Sequence, residues 1–233
     1  MTSRRLFLVG ATLLLLIALA VVAKVSLDRL APPPWGNPVG DSLSPQIDAQ
    51  AQLGQQFTAP LPGLYRIELD LVLPEGSNPG DLVLHLRTAP DAAADLRGAS
   101  PSLDEAANGR LYGFEFEPIR DSAGQSYYFF LESSASDAAQ AVAVRYGPES
   151  VLEGASAYLN GEPLPGNLRF HSYYSLRTRE RIDLLLTRMA AGRPYFLGTK
   201  GFYAGLALIY ALVLATFLVV VARAVLEETE GES

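Results

Sequence analysis

Apolar and polar side chains alternate along the middle of the chain. Tyr65, Ile67, Leu69, Leu71 and Leu73 interleave with Arg66, Glu68, Asp70 and Val72. Successive side chains of a strand point to opposite faces, so this spacing predicts a strand with one apolar and one mostly polar face. Leu82, Leu84 and Leu86 alternate with Val83, His85 and Arg87, and Tyr112, Phe114 and Phe116 with Glu115 and Glu117. Gly54–Ala59, Gln125–Ser133, Ala141–Tyr146, Ser156–Asn160 and Leu168–Ser175 read as further strands. Turn signals separate them at Pro74-Glu75-Gly76-Ser77-Asn78-Pro79-Gly80, Asp121-Ser122-Ala123-Gly124 and Asn160-Gly161. This succession predicts an all-β domain over residues 51–176, an antiparallel β-sandwich of jelly-roll type, with a closed barrel as the alternative fold.

The period changes at Thr178. Ile182, Leu185, Leu186 and Met189 fall at i, i+3, i+4 and i+7, one face of a helix, while Arg179, Arg181, Asp183 and Arg188 occupy other faces. Gly192 and Pro194 can end it. Residues 177–200 therefore read as a short amphipathic juxtamembrane segment, either lying on a lipid surface or packed on the sandwich. Arg188, Arg193, Tyr195, Lys200 and Tyr203 make up a basic and aromatic collar, the composition of a membrane interface. Gly201 to Ala222 is a charge-free run of 22 residues, about 33 Å as a helix and enough to cross a bilayer with some tilt. Ala207, Ala211 and Ala215 recur in it every four residues, a spacing that lets helix backbones approach closely.

A first uncharged run, Leu6–Ala23, has 18 residues, about 27 Å as a helix and just enough to span. Arg4 and Arg5 before it and Ala18-Leu19-Ala20 within it also outline a cleavable signal peptide. Signal peptides use an apolar region of about 7–15 residues, so the length favours an uncleaved anchor. Residues 1–5 are then a cytoplasmic N-terminus, and residues 24–50, with Pro32, Pro33, Pro34 and Pro38, read as an extended Pro-rich stalk. Trp35 sits either at the lipid interface or on the domain. Residues 223–233 form an acidic tail with no assigned role.

Composition agrees with a chain partly in lipid: 49% of residues are hydrophobic and only 18% charged, against about a quarter for soluble chains. The net charge of −7 argues against a nucleic-acid binder. Charge is also divided unevenly. Asp41 to Glu162 holds 18 acids and 6 bases, a balance of −12, and Arg169 to Lys200 holds 7 bases and 2 acids, a balance of +5. The basic part suits anionic headgroups or is ordinary surface charge. Local Lys and Arg counts place the central domain in the cytoplasm, but the positive-inside rule weakens for loops beyond about 60 residues. The signal-like start therefore decides for an exported domain, with most of the chain outside the membrane.

Little in the sequence carries chemistry. No cysteine is present, and the two histidines, His85 and His171, both fall on strands. Gly154-Ala155-Ser156-Ala157-Tyr158 lacks the last glycine of a nucleophile elbow. No zinc, phosphate-loop or dinucleotide fingerprint occurs. The stretch Asp91–Glu105 gathers Asp91, Asp95, Asp104 and Glu105, oxygen ligands of the kind a structural calcium takes, but at no calcium-motif spacing. No cofactor is expected. Eleven tyrosines occur, including Tyr127-Tyr128 and Tyr173-Tyr174. Each adjacent pair should send one ring inward and one outward. Tyr128, Tyr146, Tyr158 and Tyr173 are the candidate outward rings for stacking on a sugar, with filling of the core as the alternative.

Gln56-Phe57-Thr58-Ala59, Gly63-Leu64-Tyr65, Phe114–Ile119, Asp121–Gly124, Tyr127–Leu131 and Tyr158–Gly161, in that order, resemble an extracytoplasmic domain of bacterial membrane proteins. Such domains look like carbohydrate-binding-module jelly rolls and sometimes accompany membrane glycosyltransferases. The resemblance spans Leu53 to Ser175 and implies a fold rather than an activity. The chain lacks the multi-span catalytic body of those transferases. The expectation is a non-enzymatic membrane-anchored protein that binds a glycan or envelope component, or assists a glycan-handling membrane partner. A structural accessory subunit that meets other transmembrane subunits is the second expectation, and a hydrolase the third.

Overall fold

A computed structural model describes residues 21, 24–25, 32–73, 81–100, 111–135, 141–147, 152 and 154–230. They form two compact units, one spanning Pro32–Ser175 and one holding Leu176 onward. The first apolar run, with its choice between anchor and signal, lies outside the described residues save Val21.

Pro32–Ser175 is all-β, with every strand pairing antiparallel. One sheet contains β1 (Trp35–Asn37), β2 (Ser42–Leu43), β4 (Leu64–Val72), β7 (Leu111–Ile119), β9 (Ala143–Gly147), β12 (Asn167–Leu168) and β13 (Phe170–Tyr174). The other runs β11 (Glu162–Leu164), β10 (Ser156–Leu159), β3 (Leu53–Thr58), β8 (Ser126–Ser133), β5 (Leu82–Arg87) and β6 (Arg97–Ala99). Their inner faces meet in a sandwich. Phe57 and Phe129 from the second sheet pack on Phe170 of the first at ring-centroid distances of 5.4 and 5.5 Å. Rings of this size dominate a small core because each removes a large apolar area from water.

The residues expected in a stalk fold differently. Gly36 and its neighbours in β1 pair with Phe170–Ser172, and Trp35 packs on Phe57 at 6.1 Å and on Phe170 at 6.3 Å. The compact body therefore begins at Pro32 rather than 51. Proline cannot donate to a ladder, but an edge strand that starts just after a proline run loses nothing by it. Trp35 packs on the domain, half-buried against core rings.

Buried amides also tie the sheets together. Gln55, Asn37 and Asn167 are fully buried. Gln55 Nε2 donates to Asn167 Oδ1 at 2.9 Å, Gln55 Oε1 accepts from Leu168 N at 2.8 Å, and Asn37 Nδ2 donates to the Leu168 carbonyl at 3.1 Å. Such groups are tolerated in a core only when bonded, so they fix the register between sheets.

From Leu176 the chain is helical. α1 (Thr178–Ala190) starts with Glu180 Oε2 accepting the Arg177 amide at 2.6 Å. A 3₁₀ turn (Tyr195–Gly198) leads into α2 (Lys200–Glu230). Lys200–Val220 has a mean hydropathy of 2.4 and is the one helix among the described residues long and apolar enough to cross a membrane.

Candidate ligand-binding face

Strand alternation makes the second sheet half of the core, and its outer face carries an aromatic row. Gly54 of β3 is the floor: a Cβ there would fall 2.2 Å from Tyr128 Oη, so only glycine lets that ring lie on the sheet. Tyr158 meets Tyr128 edge-on at 5.5 Å, and Tyr128 stacks on Phe130 at 5.8 Å. Phe130 stacks in turn on His85 at 4.8 Å, with the Arg87 guanidinium 4.5 Å from its centroid. These outward rings are covered: Tyr128 is 4% exposed and Phe130 1%. Burial pushes the Tyr128 phenol up to about 12.

A polar line runs beside the row. Arg87 Nε donates to Asp95 Oδ1 at 2.6 Å, and Asp95 Oδ2 lies 2.7 Å from His85 Nδ1. The Arg87 hydrogen bond, more than the His85 one, holds the Asp95 carboxyl below its ordinary value. His85 Nε2 faces Glu132 Oε2 at 3.4 Å, and Glu132 Oε1 accepts from Gln52 Nε2 at 2.5 Å. Glu132 is also a wall of a cleft of about 560 Å³, lined by Asp48–Gln52, Glu132, Ser133 and Asn160. The Asn160-Gly161 turn places Asn160 in a left-handed conformation, φ 52°, and its side chain accepts the Gln52 amide at 2.7 Å. The lining offers two carboxylates, three side-chain amides and a hydroxyl, with no base. That set suits a ligand dense in hydroxyl or amine groups.

The outer face of the first sheet is ionic. Arg66 bonds both Glu68 and Glu115, the latter at 2.9 Å, and lies over Gly113. Tyr173 donates to Glu68 Oε2 at 2.5 Å; burial and that bond raise its phenol to about 12. Asp70 sits between Arg169 at 3.1 Å and Arg145 at 3.6 Å. Glu68 and Asp70 are 7% and 5% exposed, so these strand positions are buried by their partners and do not face water. His171, beside them, is held below its ordinary value by burial, and its Nδ1 is a buried atom with no hydrogen-bond partner.

The four candidate tyrosines are thus divided. Tyr128 and Tyr158 touch on the second sheet, whereas Tyr146 in β9 and Tyr173 in β13 belong to the first. Tyr146 Oη donates to the Pro165 carbonyl at 2.7 Å. The tyrosine spacing did not reveal His85, Arg87, Asp95 or Glu132; the outward positions of His85 and Arg87 opposite the β8 aromatics were the available signal. In the candidate calcium stretch, Asp95 is engaged by Arg87 and His85, while Asp104 and Glu105 lie outside the described residues. Of the collar, Arg188, Arg193, Tyr195 and Lys200 are exposed, whereas Tyr203 is 8% exposed and in ring contact with Phe202. Ala207, Ala211 and Ala215 lie exposed along α2.

No family model matches this chain, and no curated protein matches it.

Proposed function

We propose that this is a non-enzymatic, membrane-tethered module that holds a glycan or other hydroxyl-rich envelope component, alone or for a glycan-handling membrane partner. The sandwich is of carbohydrate-binding jelly-roll type and extracytoplasmic in this reading, tethered to the bacterial inner membrane through α2. The observation that carries it is the meeting of an aromatic row and an open polar cleft at Glu132. Tyr158, half-exposed at the end of the row, supplies the apolar surface on which a sugar ring stacks, and the cleft supplies bonds for its hydroxyls. Both ring nitrogens of His85 face carboxylates, which leaves that imidazole no nucleophile to activate and supports binding over hydrolysis.

Calorimetric titration of the full chain in nanodiscs with N-acetylglucosamine oligomers, muropeptides and lipopolysaccharide core oligosaccharides tests the proposal. Saturable binding to one class is expected, weakened at least tenfold by Tyr158→Ala or Glu132→Gln. Absence of binding throughout the panel, together with co-purification of large membrane partners from mild detergent, favours the accessory-subunit reading instead.

A further inference from the structure

The segment between the sandwich and the apolar helix has an unusual distribution of exposed groups. At 100° per residue, Ile182, Leu185, Leu186 and Met189 form one stripe along α1. Ile182 is 42% exposed and Met189 40%. α1 is tied to α2 through Asp183, whose two carboxylate oxygens each accept from Lys200 Nζ at 2.8 Å, about a quarter turn from the middle of the stripe. Within the stripe Leu185 and Leu186 are half-buried, and Ile182 and Met189 are its exposed members. Just beyond it Tyr195 is 92% and Phe196 65% exposed. Tyr195 is held at φ 53°, a left-handed conformation that a bulky residue adopts only when the surrounding structure imposes it. Charge follows the same geometry. Arg181 and Arg188 flank the stripe on one side and Arg179 on the other. Asp183 is paired with Lys200, and Glu180 with the Arg177 amide. Arg179, Arg188 and Arg193 form no ion pair among the described residues, although Arg193 Nε donates to the Met189 carbonyl at 3.1 Å.

We infer that α1 and the Tyr195–Gly198 turn are a docking surface for anionic phospholipid. The stripe, Tyr195 and Phe196 enter the headgroup–acyl boundary, and Arg179, Arg188 and Arg193 reach the phosphates. Charge complementarity and direct continuity with the apolar helix single out lipid as the occupant. Long arginine side chains can bury their stems along the apolar stripe while their guanidinium groups stay at the headgroups.

The inference rests on α2 crossing the bilayer, and the test separates the two. The chain has no cysteine, so single cysteines can be introduced in the full chain and spin-labelled. Ile182→Cys, Met189→Cys, Thr187→Cys on the opposite face and Leu212→Cys within α2 are reconstituted in nanodiscs of phosphatidylcholine, with and without phosphatidylglycerol. Accessibility to oxygen and to an aqueous nickel chelate reads depth. With phosphatidylglycerol present, labels at 182, 189 and 212 should favour oxygen and the label at 187 the chelate. Phosphatidylglycerol should be enriched several-fold around the protein, and Arg179→Gln/Arg188→Gln/Arg193→Gln should abolish that enrichment while leaving the 212 label deep. Labels at 182 and 189 that match 187, or are shielded from both reagents, overturn the inference with the span intact. So does equal depth and no enrichment in the two lipid mixtures. A chelate-accessible 212 label overturns both.

Discussion

The two outer faces of the sandwich are buried by opposite means. On the second sheet Tyr128 lies over Gly54 and stacks on Phe130, and the two rings are flanked by Tyr158, His85 and Arg87. On the first, Glu68 and Asp70 are covered by the arginines that neutralise them. The first strategy removes apolar area from water and gains free energy directly. The second desolvates charges, and the attraction between them repays that cost only while every partner is present. The aromatic face borders an open cleft with a polar lining at Glu132, and the proposed ligand is placed there.

The largest effect is expected from Phe130→Ala. Truncating a fully buried ring should cost about 4 kcal/mol in denaturant unfolding, and should loosen Tyr128, whose phenol would then titrate closer to its ordinary 10.0 by ultraviolet difference absorbance. A small loss, with Tyr128 unchanged, would show that the outer row is not packed as described.

Next comes Glu68→Ala, which leaves the Tyr173 hydroxyl without its acceptor and the Arg66 guanidinium with Glu115 alone. Losing the buried half of this partly exposed pair should cost about 2 kcal/mol, whereas Arg66→Met with Glu68→Leu should recover part of it. If the double variant is as unstable as the single, the face needs its charges for more than mutual neutralisation.

A pH effect follows from His171. Its folded pKa is depressed below the ordinary 6.5 by burial. Below that value the unfolded chain takes up a proton that the folded chain resists, so stability is full above it and declines as pH falls. Thermal unfolding across this window should show the decline, and His171→Gln should flatten it. An identical decline in the variant would assign it to other groups.

Smallest of all is Glu115→Gln. Glu115 bonds Arg66 but its side chain is 64% exposed, and surface pairs of this kind contribute about 0.5 kcal/mol or less. A larger loss in a double-mutant cycle with Arg66 would mean that the ionic face acts as one network.

Much of the fold was legible because its inner faces obey a period of two. Tyr65–Leu73 and Leu82–Arg87 fall in β4 and β5 within a residue or two of their ends. What escaped is what periodicity does not encode. Glu68 and Asp70 alternate correctly, and alternation alone assigns them to water; their burial comes from Arg66 on the same strand and from Arg145 and Arg169 of β9 and the residue before β13. β1 hides behind a proline run because a three-residue strand has no measurable period. The aromatic row depends on Gly54, a missing side chain two strands from His85 along the chain and visible only once β3, β8 and β5 lie side by side. The amphipathic α1, by contrast, was legible from four apolar residues, since a helix carries its pattern within itself.

Hydrogen exchange of the full chain in nanodiscs, with and without the glycan class that binds in calorimetry, tests the functional reading most directly. Ligand should slow exchange at the backbone of Asp48–Gln52, Glu132 and Asn160 and leave β4 and β13 unchanged. Protection that appears instead around Arg66, Glu68 and Tyr173, with none at the cleft, would contradict it.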